Sequence, residues 1–170
     1  MINRVMHMIY CPVCGKLLEV AEIENHKIKR CSCGYIDWDN WVNLSAVSVC
    51  YNDRNEFMMV HMKGKSKGKL TFPGGFRNLG ESLEEAAKRE CFEESGHSID
   101  HLKLYKIYTK DDLRLVWVVY KAKIVGGSFI ENNETEMISF HSVKNPPDFS
   151  KLRGSLTEAL LNDLMNEDNV

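Results

Sequence analysis

Apolar residues fall in short runs through the middle of the chain, broken by turn-forming clusters. Leu44 to Tyr51 (LSAVSVCY) and Glu56 to His61 (EFMMVH) have the length and composition of strands. Between them Tyr51-Asn52-Asp53-Arg54-Asn55 carries turn chemistry, so a hairpin is predicted. Gly64 to Lys69 is a basic loop, and Thr71-Phe72-Pro73-Gly74-Gly75 marks a turn or a close backbone approach. A helical period begins at Leu83, with Ser82 and Glu85 spaced as a capping box and Gly96 as the stop. Strands are predicted again over Leu102 to Tyr108, Leu113 to Val125 and Met137 to Phe140. After Pro146-Pro147 a terminal helix is predicted from Ser155 to Met165, with Ser155 and Glu158 as its capping box. This order predicts an α+β fold on a mixed sheet.

The helix that follows Ser82 carries its charge on the wrong side. With Leu83 at the origin and about 100° per residue, Ala86, Ala87 and Cys91 share one arc. Glu90 and Glu94 fall within that arc, about 20° to either side of Leu83, and Glu93 lies about 80° from it. Surface helices set their acids opposite their alanines. Burying like charges costs several kcal/mol per ion without compensation. A divalent cation supplies that compensation, and hard oxygen ligands suit Mg²⁺ or Mn²⁺. Arg89 is placed to pair with Glu85 or Glu93 one turn away. The alternative is a solvated helix laced with salt bridges.

Composition narrows the setting. A chain of 170 residues, 44% hydrophobic and 27% charged, suits one domain with a real core, or one domain plus a small module. Its 22 Lys+Arg against 24 Asp+Glu leave a net charge of −2 and no basic field, so nucleic acid is not the expected partner. No apolar run reaches the length of a membrane span. Met1 to Tyr10 lacks the apolar core and cleavage site of a signal peptide. A cytoplasmic location is therefore expected.

Cysteine placement adds a module. Cys11 and Cys14 form C-P-V-C, and Cys31 and Cys33 form C-S-C-G. In a reducing compartment such pairs read as metal ligands rather than bridges, and four thiolates make a tetrahedral Zn²⁺ site. The second pair is one residue shorter than the usual spacing, and His26 is a substitute candidate. Cys50 and Cys91 sit alone among apolar neighbours and read as packing residues. The predicted division is a leader at 1–10, a zinc ribbon at 11–36, a tether at 37–43 and the main domain at 44–170. Trp38 and Trp41 in the tether anchor the ribbon or stack on a base. Lys63, Lys65, Lys67 and Lys69 read as a solvated or phosphate-steering loop, and Arg77 and Arg114 as candidate diphosphate contacts.

Gly75 to His97 (GFRNLGESLEEAAKRECFEESGH) resembles the Nudix box G-x5-E-x7-R-E-U-x-E-E-x-G-U. Gly75, Glu81, Arg89, Glu90, Glu93, Glu94 and Gly96 fall in register; Cys91 and His97 stand where bulky aliphatics are usual. The resemblance implies an α/β/α sandwich in which the box forms loop, helix and loop. It implies that Glu90, Glu93 and Glu94 bind Mg²⁺ (or Mn²⁺), that Arg89 and Glu81 orient them, and that the Gly75 carbonyl is a further ligand. Glu134, with Glu136 second, resembles the acid that some members supply from a later loop. Which of these five glutamates serves as base is left open.

A zinc ribbon before such a domain is similar to the branch that holds NADH, ADP-ribose and FAD diphosphatases. The S-Q-P-W signature of the NADH enzymes is absent; Ser98-Ile99-Asp100-His101 follows the box. The resemblance implies a Mg²⁺-dependent hydrolase of a nucleotide-containing small molecule. An ADP-containing dinucleotide such as ADP-ribose, NADH or FAD is the expected substrate. The alternatives are a nucleoside triphosphate pyrophosphohydrolase and a non-catalytic nucleotide sensor or nucleic-acid binder that uses the ribbon. Family members often pair, so a homodimer is a further expectation.

Overall fold

The structure, a computed structural model, describes residues 8–167, so residues 1–7 of the expected leader lie outside the described part. Alternation along the central strands sends apolar side chains to two faces, and a helix buries each. On β4 (Asn43–Tyr51), β5 (Phe57–Met62) and β9 (Leu115–Gly127), one face carries Val47, Val49, Phe57, Met59 and Val119. Leu160, Leu161 and Leu164 of α2 (Ser155–Glu167) pack on them. The other face carries Ala46, Cys50, Met58, Val118, Tyr120 and Ala122, covered by Ala86, Ala87 and Cys91 of α1 (Leu83–Ser95). The result is a helix–sheet–helix sandwich.

The sheet is mixed. Its order is β10-β5-β4-β9-β8, with β8 (His97–Lys110) and β10 (Thr135–His141) at the ends and β6 (Leu70–Thr71) paired to β5. Only the β4–β9 ladder is parallel. The predicted hairpin forms and then opens at once. The Asn52 side chain accepts the N–H groups of Arg54 and Glu56, both at 2.9 Å, but β4 and β5 pair only at Tyr51 and Phe57. Further along, the edge of β4 pairs with β7 (Gly74–Phe76), which brings the glycine turn onto the sheet.

β8 and β9 run beyond the predicted strands at both outer ends. Register shifts at Ser98/Ile99, Asp100/Lys103 and Leu104/Lys106 break the two-residue alternation that a sequence pattern relies on. The predicted capping box of α2 is also displaced. Ser155 is the first helical residue; the Gly154 carbonyl accepts the Glu158 N–H at 3.1 Å, and the Ser155 hydroxyl accepts from Lys110.

The cysteine module builds its own sheet from β1 (Glu19–Ile23), β2 (His26–Arg30) and β3 (Ile36–Asp37). Its interior is minimal: Cys11, Leu18 and Cys31 form the cluster, with Met8 and Tyr35 against it. Arg114 fixes the segment that follows. It donates to the carbonyls of Asp39 and Trp41, pairs with the Asp39 carboxylate, and its guanidinium lies 4.6 Å from the centre of the Trp41 ring. Arg114 therefore serves the tether, and Trp41 is an anchor. Among the described residues no helix is long and apolar enough to cross a membrane.

Candidate active site and thiol cluster

α1 starts and stops as its sequence dictates. The Ser82 hydroxyl accepts the Glu85 N–H at 3.1 Å, and the Glu85 carboxylate accepts the Ser82 N–H at 2.7 Å. At the other end Gly96, with φ of 72°, donates its N–H to the Phe92 carbonyl in the left-handed cap that glycine favours. Small residues on the buried face let the helix sit low on the sheet, and the glutamates among them descend with it.

Burial follows the helical arc. Glu94 is only 6% exposed, and one of its oxygens accepts the Gly74 N–H at 2.9 Å. Burial pushes its carboxyl up to about 8, against that hydrogen bond and with the charges of Glu90 and Glu134 adding to the rise. Glu90 is half-buried and also raised, first by burial, with Arg89 opposing and Glu93 and Glu134 contributing. Its carboxylate lies against Gly75 so closely that a Cβ there would collide with it. Glu93 is largely exposed.

Arg89 ties the glutamates together. It grips Glu81 through Nε at 3.0 Å and Nη2 at 2.7 Å, and reaches Glu90 at 2.7 Å and Glu93 at 2.9 Å. It also donates to the Phe76 carbonyl at 3.0 Å, so helix, box loop and β7 meet on one guanidinium. The Arg89 hydrogen bonds, with the Asn78 N–H, hold Glu81 down at about 2, so Glu81 is a fixed anion in this frame. Of the two expected partners, Arg89 takes Glu93, while Glu85 is spent on the cap.

Glu134 and Glu136 part company. The Asn132 side chain donates to the carbonyls of Glu93 and Glu94 at 3.0 and 3.1 Å and accepts the Glu134 N–H at 2.9 Å. Lys63 fastens the same loop, its Nζ on the Asn132 carbonyl and its N–H on the Glu134 carbonyl. This places the Glu134 charge where Glu90 and Glu94 both feel it, while the Glu136 charge acts on His61. Lys63 thus positions a loop. His97 is accommodated too: buried, its ring meets the Ser95 carbonyl through Nδ1 at 3.0 Å and packs edge-on to Phe140.

The buried Glu94 and the half-buried Glu90, with the exposed Glu93 beside them, face one N–H and a guanidinium already shared with Glu81, and their oxygens do not gather within 4.8 Å of one another as a ready-made set of three. The set is short of positive charge and offers hard oxygen donors, which fits a divalent cation such as Mg²⁺ or Mn²⁺. The metal-free protein should therefore lose stability with rising pH. Glu94 binds its proton up to about 8 when folded but only to the ordinary value of 4.5 when unfolded. Its contribution is full below that lower value and disappears as pH rises through about 8. Melting curves in EDTA from pH 5 to 9 should show this decline, and Glu94→Gln should flatten it. An equally steep decline in the variant would exclude Glu94 as its source.

The second cluster is sulfur. Cys11, Cys14, Cys31 and Cys33 bring their Sγ atoms within 4.8 Å of one another, the one such group of three or more His, Cys, Asp or Glu ligand atoms among the described residues. Sγ–Sγ separations of 3.6 Å (Cys11–Cys33) and 3.4 Å (Cys14–Cys31) approach the edge of about 3.8 Å that a tetrahedron with Zn–S bonds of about 2.3 Å requires. The short C-x-C pair does not spoil the symmetry. In the first knuckle the N–H groups of Cys11 and Gly15 bond to Lys16 and Cys11 carbonyls. In the second, those of Cys31 and Gly34 bond to Tyr35 and Cys31, the same wrap one residue shorter. The Cys33 N–H and the neighbouring thiols draw Cys31 down to about 7, while the thiols around Cys14 push it up to about 12, so without a metal the cluster favours ionising Cys31 first.

Comparison with known sequences gives a match to the NUDIX domain over residues 42–160. An ADP-ribose pyrophosphatase of Methanocaldococcus jannaschii is 28% identical over 107 residues, 60% of this chain and 63% of that protein. A second curated relative, from Caenorhabditis elegans, is matched over 30% of its length, so the chain spans less than two thirds of either. Among solved structures, a NUDIX hydrolase from Nitrosomonas europaea has a TM-score of 0.74 at 21% identity, covering 95% of this chain and 93% of that one. An ADP-ribose pyrophosphatase from Streptococcus suis has a TM-score of 0.58 at 21% identity, covering 72% and 91%. These structural likenesses establish the fold.

Proposed function

Because this chain belongs to the NUDIX domain family, we propose that it hydrolyses the diphosphate bond of a nucleoside diphosphate linked to a second group, with ADP-ribose the first candidate and NADH and FAD next. The observation that carries this reading is the placement of the buried Glu94 and the half-buried Glu90 beside the Gly74-Gly75 backbone. The ADP-ribose pyrophosphatase relative favours ADP-ribose among the substrates. Glu90, Glu93 and Glu94, with the Gly75 carbonyl, are the groups that would hold Mg²⁺. The cation supplies neutralisation of diphosphate oxygens and a lowered pKa for water.

The chain's own residues do the rest. Arg89 and Glu81 keep the carboxylates in register, and the Gly74 N–H fixes the rotamer of Glu94. Glu134 is our choice for the base that takes the proton of the attacking water, since its loop is pinned by Asn132 and Lys63 at the edge of the site. The four thiols are assigned to a structural Zn²⁺. Such a closed site stabilises a module whose interior is too small to fold alone.

Purified protein incubated at millimolar Mg²⁺ with ADP-ribose, NADH, FAD and nucleoside triphosphates decides between readings. AMP released from a dinucleotide supports ours; pyrophosphate from triphosphates alone would favour a triphosphate hydrolase. The positioning role of Arg89 has its own test. Arg89→Lys keeps the charge but loses the bidentate fork, so kcat/KM should fall about 10–100-fold with the circular dichroism spectrum unchanged. Activity within about twofold of wild type would remove Arg89 from the positioning frame.

A further inference from the structure

Three polar side chains at the β10 end of the sheet stand apart from both the glutamates and the thiols. β10 pairs with β5, placing Met137 opposite His61, Ser139 opposite Met59 and His141 opposite Phe57. Residues directly opposite share a face, so His61, Ser139 and His141 lie together on the face that carries Phe57, Met59 and α2. The Ser139 hydroxyl is 2.9 Å from His61 Nε2 and 2.8 Å from His141 Nε2. Two imidazoles from two strands are aimed at one oxygen.

For the free side chains that arrangement is a compromise. A hydroxyl has one proton, so it donates to one ring and accepts from the other, which forces opposite tautomers on the two histidines. Neither ring has another hydrogen bond among the described residues. Burial lowers the pKa of both. At His61 the Glu136 charge opposes that shift and Lys151 adds to it; at His141 the nearby His61 adds to it. Above neutral pH both rings are therefore uncharged, the form that offers a nitrogen lone pair to a metal. The backbone beneath them is firm, because His61 is paired to Met137 on one side and to Leu70 on the other.

We infer that His61 and His141, with the Ser139 hydroxyl between them, form a further metal position that takes a borderline divalent cation such as Ni²⁺, Cu²⁺ or Zn²⁺ rather than Mg²⁺. Imidazole nitrogen suits these ions, whereas Mg²⁺ keeps to oxygen. Metal–imidazole bonds of about 2.0–2.1 Å are shorter than the present hydrogen bonds. The rings therefore swing toward one another on binding, and the hydroxyl serves as a weak third ligand with water completing the shell. The ion ties the end strand β10 to β5 close to Lys63, whose N–H bonds the Glu134 carbonyl.

Ni²⁺ is the probe, titrated calorimetrically into the full chain at millimolar Mg²⁺ so that Mg²⁺ competes for the carboxylates. Wild type should bind Ni²⁺, and His61→Gln and His141→Gln should each weaken that binding about tenfold or more, the loss of one ligand. Ser139→Ala should weaken it far less. Should a histidine variant not fold, judged by its melting curve, NMR spectra of wild type with Ni²⁺ decide. Paramagnetic broadening centred on Met59, Ser139 and their neighbours supports the site; broadening confined to residues 11–37 or to the other histidines overturns it. Equal Ni²⁺ affinity in wild type and both histidine variants, or no uptake at millimolar Ni²⁺, also overturns it. None of these readouts requires turnover, so the hydrolase reading stands or falls separately.

Discussion

Glu94→Gln should reduce turnover by about 10³-fold or more and, in the same protein, raise the melting temperature measured in EDTA above that of wild type at pH 8. Both signs come from one carboxylate. Glu94 is 6% exposed among alanines and sheet residues, and burial raises its pKa to about 8. Ionising it costs the metal-free fold, and glutamine removes that cost while still accepting the Gly74 N–H. The same substitution removes an anionic ligand from the proposed cation site, and losses of about 10³-fold, near 4 kcal/mol, are the scale of one essential electrostatic group. Cation affinity of the wild type should also increase with pH up to about 8, because the carboxyl must lose its proton to ligate. A variant that is inactive but less stable in EDTA would mean that Glu94 is structural. One that is active would remove it from the ligand set.

With Zn²⁺ on the four thiols, as proposed, chelation should unfold the N-terminal module and leave the sandwich intact. The module's buried residues amount to little more than Cys11, Leu18, Ile28 and Cys31, a core far too small to offset chain entropy. Binding energies for structural zinc in small domains run to about 10–16 kcal/mol, enough for the proposed ion to carry the fold of such a module. Hydrogen exchange followed by mass spectrometry should show full loss of protection over residues 11–37 after chelation, or in Cys31→Ser. Protection in α1, β4 and β9 should hold. The tether limits the damage, since Arg114 pins Asp39 and Trp41 to the main domain. Retained protection over residues 11–37 in protein shown to be metal-free would refute the structural-zinc assignment.

How far the sequence carried depended on the range of the interaction. The Ser82–Glu85 capping box and the Gly96 stop are local, and α1 begins and ends where they say. The arc that put Glu94 and Glu90 among alanines is also local, and both are less exposed than Glu93, which lies further round the helix. Long-range partners were not legible. Arg153 lies far from the box in a stretch with no motif, yet its N–H bonds the Leu70 carbonyl and its charge reaches Glu94. Asn132 looked like loop composition; its role depends on two carbonyls at the end of α1. The lysines before the box suggested phosphate steering, yet Lys63 holds the Glu134 loop and Lys69 donates to the Ser150 carbonyl. Strand ends were misread where bulges shift the register of β8 on β9, because alternation is the signal and a bulge resets it.

The proposed hydrolase depends on Glu94 and Glu90 of α1 holding a divalent cation. Its most direct test is AMP release from ADP-ribose by wild type, with Mg²⁺ raised stepwise from an EDTA baseline and Glu94→Gln run in parallel. No release is expected in EDTA, saturable release with millimolar Mg²⁺, and none above background from the variant. Release that ignores Mg²⁺, or that survives in Glu94→Gln, would contradict it.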